Sequence, residues 1–213
     1  MDKTAYNPSK AVARSPAWAV TGQGAGGGGG GVTTWEERVA SGPDDGYWDD
    51  MMSFDNSSAN TLVSTDEYGS QVESSFFRFA SVEVPKDSTI TEATLELIMA
   101  SGASYSFDMA VKGEDVDDST QYEDPSHMPG DATDTTASVT WTGSGSWAAD
   151  EVVQSPDIKT IITEITGRSG WSSGNALTLR LFYMGLSGQD ESYSFKTYDS
   201  SSSVAAKLTI KYS

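Results

Sequence analysis

The sequence predicts an all-β chain: a jelly-roll-type antiparallel β-sandwich with one short amphipathic helix, preceded by an extended N-terminal arm. Three observations carry this. Short apolar–polar alternations of period two recur from Val32 onward, separated by Gly, Ser, Asp and Pro. Each leaves one face apolar and the other wet, as antiparallel sheets require. A single segment, SPDIKTIITEITGRSG (155–170), has helical period instead.

Residues 1–21 read as an arm. Pro8 and Pro16 punctuate it, and no apolar period survives more than a few residues. Residues 22–31, GQGAGGGGGG, follow as a strap with eight glycines in ten positions. Glycine loses the most backbone freedom on folding and brings no side chain to bury. Fully extended, ten residues reach at most about 33–36 Å. The third segment, 32–213, is the sandwich.

Within it, SSFFRFASVEV (74–84) places Phe77, Phe79, Val82 and Val84 in the core, and Pro85–Ser88 turns the chain. TITEATLELIMA (89–100) directs Ala93, Leu95, Leu97 and Met99 to one face. SYSFDMAVKGED (104–115) does the same with Tyr105, Phe107, Met109 and Val111. After the Asp/Thr/Ser/Gly-rich region 112–154, with one short strand at 137–142 and otherwise long loops expected at one end of the sandwich, the helix is expected at about 156–167. Ile158, Ile161, Ile162 and Ile165 form its stripe, Ser155 its cap, Pro156 its first position, and Gly167 or Gly170 its stop. ALTLRLFYMG (176–185) then turns Leu177, Leu179 and Leu181 inward and Thr178 and Arg180 outward. VAAKLTIKYS (204–213) buries Leu208, Ile210 and Tyr212 against outward Lys207, Thr209 and Lys211.

Charge separates the segments. Residues 1–31 carry Lys3, Lys10 and Arg14 against one acid, Asp2, whereas the rest carries ten basic and thirty acidic side chains, for a net −18. That field disfavours nucleic acid as a partner. It reads either as an ordinary solvated acidic surface or as adaptation to a marine or salt-loving setting. The absence of cysteine excludes disulfide scaffolds, zinc fingers and thiol catalysis. No apolar run reaches signal-peptide or membrane-spanning length, so the expectation is synthesis in the cytoplasm and no membrane insertion.

Chemical motifs are few. GQGAGG (22–27) spells G-x-G-x-x-G but does not follow a strand or open a helix, so it is no dinucleotide fingerprint. His127, the single histidine, reads as a solvated loop residue. DVDDSTQYE (115–123) lacks the glycine that a helix–loop–helix calcium site needs; a loop-bound calcium ion is the only cofactor the acids bring to mind. In PDDGYWDD (43–50), Tyr47 and Trp48 lie among Asp44 and Asp45, the residue types that stack on and hydrogen-bond a sugar. The alternative is a core Trp in a loop-rich region. Trp141, Trp147 and Trp171 are assigned to core or loop packing. In the arm, Lys3, Tyr6, Lys10, Arg14 and Trp18 are candidates for docking on a partner, unless the arm folds back on its own domain.

GPDDG (42–46), FRFASVEVPKDSTITEATLEL (77–97), TTASVTW (135–141), PDIKTIITEITGRSGWSSGNALTL (156–179), FKTYD (195–199) and KLTIKY (207–212) occur in an order that resembles the DNRLRE-type, carbohydrate-binding-module-like domain. Such modules occur in secreted bacterial proteins and in virion proteins of tailed viruses. The resemblance spans about residues 32–213 and implies a binding or structural role with no catalytic set. Together with the arm and strap, it gives the expectation of a non-enzymatic virion component. It would be anchored by its arm to a major capsid or neck/tail protein, would be homo-oligomeric, and would display the sandwich outward. Attachment to host surface glycans is the alternative.

Overall fold

In the computed structural model, which describes residues 31–50, 53–65, 72–104, 106, 108–123, 127–143, 145–184 and 191–213, the alternating stretches pair antiparallel throughout. In chain order the described elements are β1 (Thr33–Arg38), β2 (Asp45–Asp49), β3 (Phe54–Asp55), β4 (Asn60–Thr65), β5 (Val72–Phe79), β6 (Ile90–Ile98), β7 (Asp108–Gly113), β8 (Val139–Thr142), β9 (Val152–Gln154), α1 (Lys159–Thr166), β10 (Leu177–Tyr183), β11 (Glu191–Lys196) and β12 (Lys207–Tyr212). Short 3-10 turns lie at Gly42–Asp44 and Pro129–Asp131. The arm candidates Lys3, Tyr6, Lys10, Arg14 and Trp18, most of the glycine strap, and Tyr105 and Phe107 lie outside the described residues. Gly31–Ser213 is a compact unit in its own right.

One sheet has the order β1-β12-β6-β9. The other runs β11-β4-β5-β10-β7-β8, with β2 also pairing β5 and β3 pairing β2. Eight of these strands suffice to define the topology. Counting β1, β5, β6, β7, β8, β9, β10 and β12 as first to eighth, the sheets read first-eighth-third-sixth and second-seventh-fourth-fifth. That interleaving of two Greek keys is a jelly roll. β2, β3, β4 and β11 extend the second sheet.

The core lies between the two inner faces. Ala93, Leu95 and Leu97 of β6 and Leu208 and Ile210 of β12 meet Phe77 and Phe79 of β5, Met109 and Val111 of β7, and Leu177, Leu179 and Leu181 of β10. All are essentially buried, so the alternation assigned these strands to the correct register. Trp141 and Trp147 close one region of the core, the latter 4.6 Å from the Tyr193 ring. Trp171 is buried and donates its indole N–H to the Val84 carbonyl at 3.0 Å.

The helix begins at Lys159, three residues later than expected, and ends at Thr166. Ser155 does not cap it: its hydroxyl accepts from the Leu95 amide and donates to the Pro156 carbonyl, ties that continue the β6 edge. Ile158 stands at the N-cap with no side-chain cap bond, and the Asp157 carboxylate before it accepts from the Lys159 and Ala93 amides, both at 3.0 Å. Burial would raise its carboxyl, but those backbone donors and Lys159 hold it below the usual range. Gly167 stands at the C-cap. The isoleucine stripe is fully buried. It rests on Gly113 of β7, where an added Cβ would lie 2.5 Å from Ile165 Cδ1. Glu164, on the polar side, accepts from the Thr136 and Ala137 amides at 2.7 Å each. The helix therefore joins β6 of one sheet to the loop beyond β7 of the other.

Two expectations are corrected. Thr178 and Arg180 do not face solvent: they are 0% and 2% exposed. Residues 119–123 and 127–134 do not sit at one end of the sandwich. They lie over the outer face of the second sheet, against β5 and β10, and that cover is what buries Thr178 and Arg180.

Candidate functional site

The second sheet carries a small outer core of its own. On β5 and β10 the residues between the inward ones, Phe76 and Phe182, point outward. Trp48 of β2 and Tyr122 of the covering segment complete the cluster. Phe76 and Tyr122 meet edge to face at 5.0 Å, as do Trp48 and Phe182 at 5.5 Å. The Arg180 guanidinium lies 4.8 Å over the Trp48 ring and 5.0 Å over Phe182.

Polar groups surround this cluster. Glu114 is 3% exposed and accepts from the Ser119 hydroxyl, which in turn lies 2.6 Å from the Thr178 hydroxyl. His127 stacks on Tyr122 with ring centroids 5.0 Å apart, and its Nε2 is 3.7 Å from the Glu114 carboxylate. Burial and that carboxylate push the Tyr122 phenol up. His127 is thus a half-exposed wall of a polar cluster rather than a freely solvated loop residue. Ser119, Glu114 and His127 are the residue types of an acyl-transfer triad, but Ser119 donates to Glu114, not to the imidazole. The hydrogen bond that would activate a serine is therefore not the one made.

The four residues proposed from PDDGYWDD divide between layers. Asp44, 2% exposed, pairs with Arg78 at 2.7 Å and accepts from the Gln121 amide at 3.0 Å. Arg78 in turn donates to the Ser119 carbonyl. Asp44 therefore fastens β2 and the covering segment to the sheet. Asp45, 1% exposed, accepts from the Tyr198 amide at 2.9 Å through Oδ2, and Oδ1 has no hydrogen-bond partner. Burial, opposed by that backbone bond and reinforced by Asp199 and Asp44, raises its carboxyl to about 7. Trp48 is 6% exposed and fills the outer core, the alternative that the sequence left open for it. Gly46 precedes it because the β3 backbone crosses there: a Cβ would strike the Asp55 carbonyl oxygen and come within 2.9 Å of Asn56 Cα. Tyr47 is half-buried on the opposite side of β2. Burial, then Asp55, Glu73 and Asp49, raise its phenol.

No protein-family model matches this chain, and no curated protein is significantly similar to it.

The acids of 115–118 are engaged within the fold. Asp115 and Asp117 pair with Arg168, the latter at 2.8 Å, and Asp118 accepts from the Ala176 amide at 2.7 Å. Among the described residues no group of three or more His, Asp or Glu is arranged to hold a metal ion. Sequence reasoning missed Glu114, Ser119, Tyr122 and Arg180 as a cluster. The available signal was Arg180 itself, a cation in the middle of LTLRLFY, where a strand with both faces covered must give any charge a partner.

Proposed function

We propose that this chain is a non-enzymatic structural protein of a tailed virus, displayed on the particle as a head-decoration, spike, turret or fibre-type subunit. In this reading the 1–21 arm docks on a capsid or neck/tail protein. The observation that carries it is the boundary at Gly31. A jelly roll complete in itself starts where the glycine run ends, which is the organisation of a displayed module behind a tether. The resemblance of residues 32–213 to DNRLRE-type modules supports it. So does the use of Asp44, Glu114 and Arg180 within the fold rather than in an open cleft. Deleting residues 1–21 is expected to leave the sandwich folded and to lower its occupancy on assembled particles at least about tenfold, a loss of more than about 1.4 kcal/mol in docking. Particles that carry the truncated chain at normal occupancy would remove the anchoring role.

Attachment to host surface glycans is the second reading. With Trp48 buried, its aromatic is Tyr47, half-exposed between Asp49, Asp55 and Glu73. Binding on a glycan array that disappears in Tyr47→Ala supports it; no binding to any glycan ends it.

A further inference from the structure

We propose that the outer face of the β1-β12-β6-β9 sheet is a self-association surface, and that its occupant is the same face of a second copy of this chain. The second sheet is covered at β5 and β10 by residues 119–123 and 127–134. On the first sheet the positions between the buried ones are exposed or half-exposed: Thr34, Glu36 and Arg38 on β1, Lys207, Thr209 and Lys211 on β12, Glu92, Thr94 and Glu96 on β6, and Gln154 on β9.

The register orders these charges. Lys211 lies beside Glu92, and Lys207 beside Glu96, with Thr209 beside Thr94 between them. Their heads pair at 2.8 Å and 3.1 Å, and Arg38 adds a bond to Glu96 at 2.9 Å. The face thus carries three cations and three carboxylates, on a body with ten basic and thirty acidic side chains. Elsewhere two copies repel one another. On this face the net charge is zero, and it is divided into a cationic strand and an anionic strand.

That division is self-complementary. A two-fold axis lying in the contact plane, parallel to the strands and running between β12 and β6, sets each copy's β12 over the other's β6. Position along the strand is preserved, so Lys211 faces Glu92 of the second copy and Lys207 faces its Glu96, while the small Thr209 and Thr94 meet at the centre. The contact is isologous, as two-fold dimers require, and near-aligned sheets are a standard packing. Three strands of six to nine residues and the three-residue β9, at about 4.8 Å spacing, make a face on the order of 400 Å² per copy, at the low end for specific interfaces. The dimer belongs in the weak, micromolar class.

The test is read in solution and does not rest on particle attachment. Sedimentation of the full chain at about 0.15 M salt, where repulsion between distant acids is screened, is expected to show a concentration-dependent dimer. The variants Lys207→Glu/Lys211→Glu and Glu92→Lys/Glu96→Lys each place like charges in register, and each is expected to weaken self-association at least about tenfold. Mixed together they restore opposite charges, and the mixture is expected to regain the dimer. Each variant also loses pairs within its own chain. The fourfold variant with both rows exchanged restores the pairs between positions 207 and 96 and between 211 and 92, places a carboxylate at 207 beside Arg38 in register, and is expected to dimerise like the parent. A full chain that stays monomeric overturns the proposal. So do row variants that associate as the parent does, or a mixture or fourfold variant that fails to recover.

Discussion

Arg180→Met is expected to cost the folded chain about 3 kcal/mol, the low end of the range for breaking a buried ion pair. The guanidinium is 2% exposed. It pairs with Asp134 and donates to the carbonyls of Ala132 at 3.2 Å and Pro129 at 2.5 Å. Methionine replaces the volume of the stem but not the guanidinium that lies over Trp48 and Phe182. The Ala132 carbonyl loses this donor, and the Pro129 carbonyl keeps only the Ala132 amide at 3.2 Å. Asp134 keeps Lys112 at 3.3 Å, which holds the cost at the lower end. The urea midpoint reads the loss. Limited proteolysis reads its location, since cleavage should concentrate within 115–134 before the sandwich itself opens. Arg180→Lys keeps the charge but not the fork and is expected to fall between parent and methionine. A methionine variant within about 1 kcal/mol of the parent would show that the covering segment is held by its other ties alone.

Arg180 also marks where the sequence stopped being legible. Period-two reading assigns β6, β10 and β12 correctly on their inward faces, because Leu95, Leu179 and Leu208 have one environment whatever covers the back of the sheet. It assigns Thr178 and Arg180 to solvent because alternation records polarity, not burial, and a polar residue paired beneath a loop looks like one in water. The cover comes from residues 119–123 and 127–134, in a stretch whose Asp, Thr and Gly content has no period to read. Its hold is a few specific bonds: Asp44 to Arg78 and Gln121, Ser119 to Thr178, and Tyr122 against Phe76. Each joins residues far apart in sequence. The helix was legible through its four isoleucines. Its start was not, since the Ser155 hydroxyl has a competing donor on β6, the Leu95 amide, that only the tertiary structure supplies.

The same distinction explains PDDGYWDD. Its residue types fit a sugar platform, yet β2 is inserted beside β5 with Trp48 turned into the outer core and Asp45 turned inward. Two adjacent carboxylates then meet opposite fates. Asp44 has a guanidinium partner, whereas Asp45 has one amide and two neighbouring acids.

From this follows the second large effect: stability is expected to fall as pH rises through about 7, and Asp45→Asn is expected to abolish that part of the fall. Asp45 is buried, and its carboxyl is raised to about 7, against about 3.9 in an unfolded chain. Between those values the folded state holds a proton that the unfolded state has released. Stability therefore declines with rising pH across that window and levels off above it. A shift of about three units corresponds to roughly 4 kcal/mol at most. Glu37, raised by burial and by Glu83 and Asp44, adds a slope of the same sign, as does growing repulsion among the surface acids. Those contributions are common to parent and variant, so the difference between them isolates Asp45. Asparagine retains an acceptor for the Tyr198 amide and turns its amide protons toward Asp199 and Asp44. Near pH 4 and below, where Asp45 is protonated in both states, the two proteins should unfold at similar denaturant concentrations. By pH 8–9 the variant should be the more stable, by up to a few kcal/mol. Parallel profiles across this range would mean that Asp45 stays ionised in the fold, with its second oxygen satisfied by solvent.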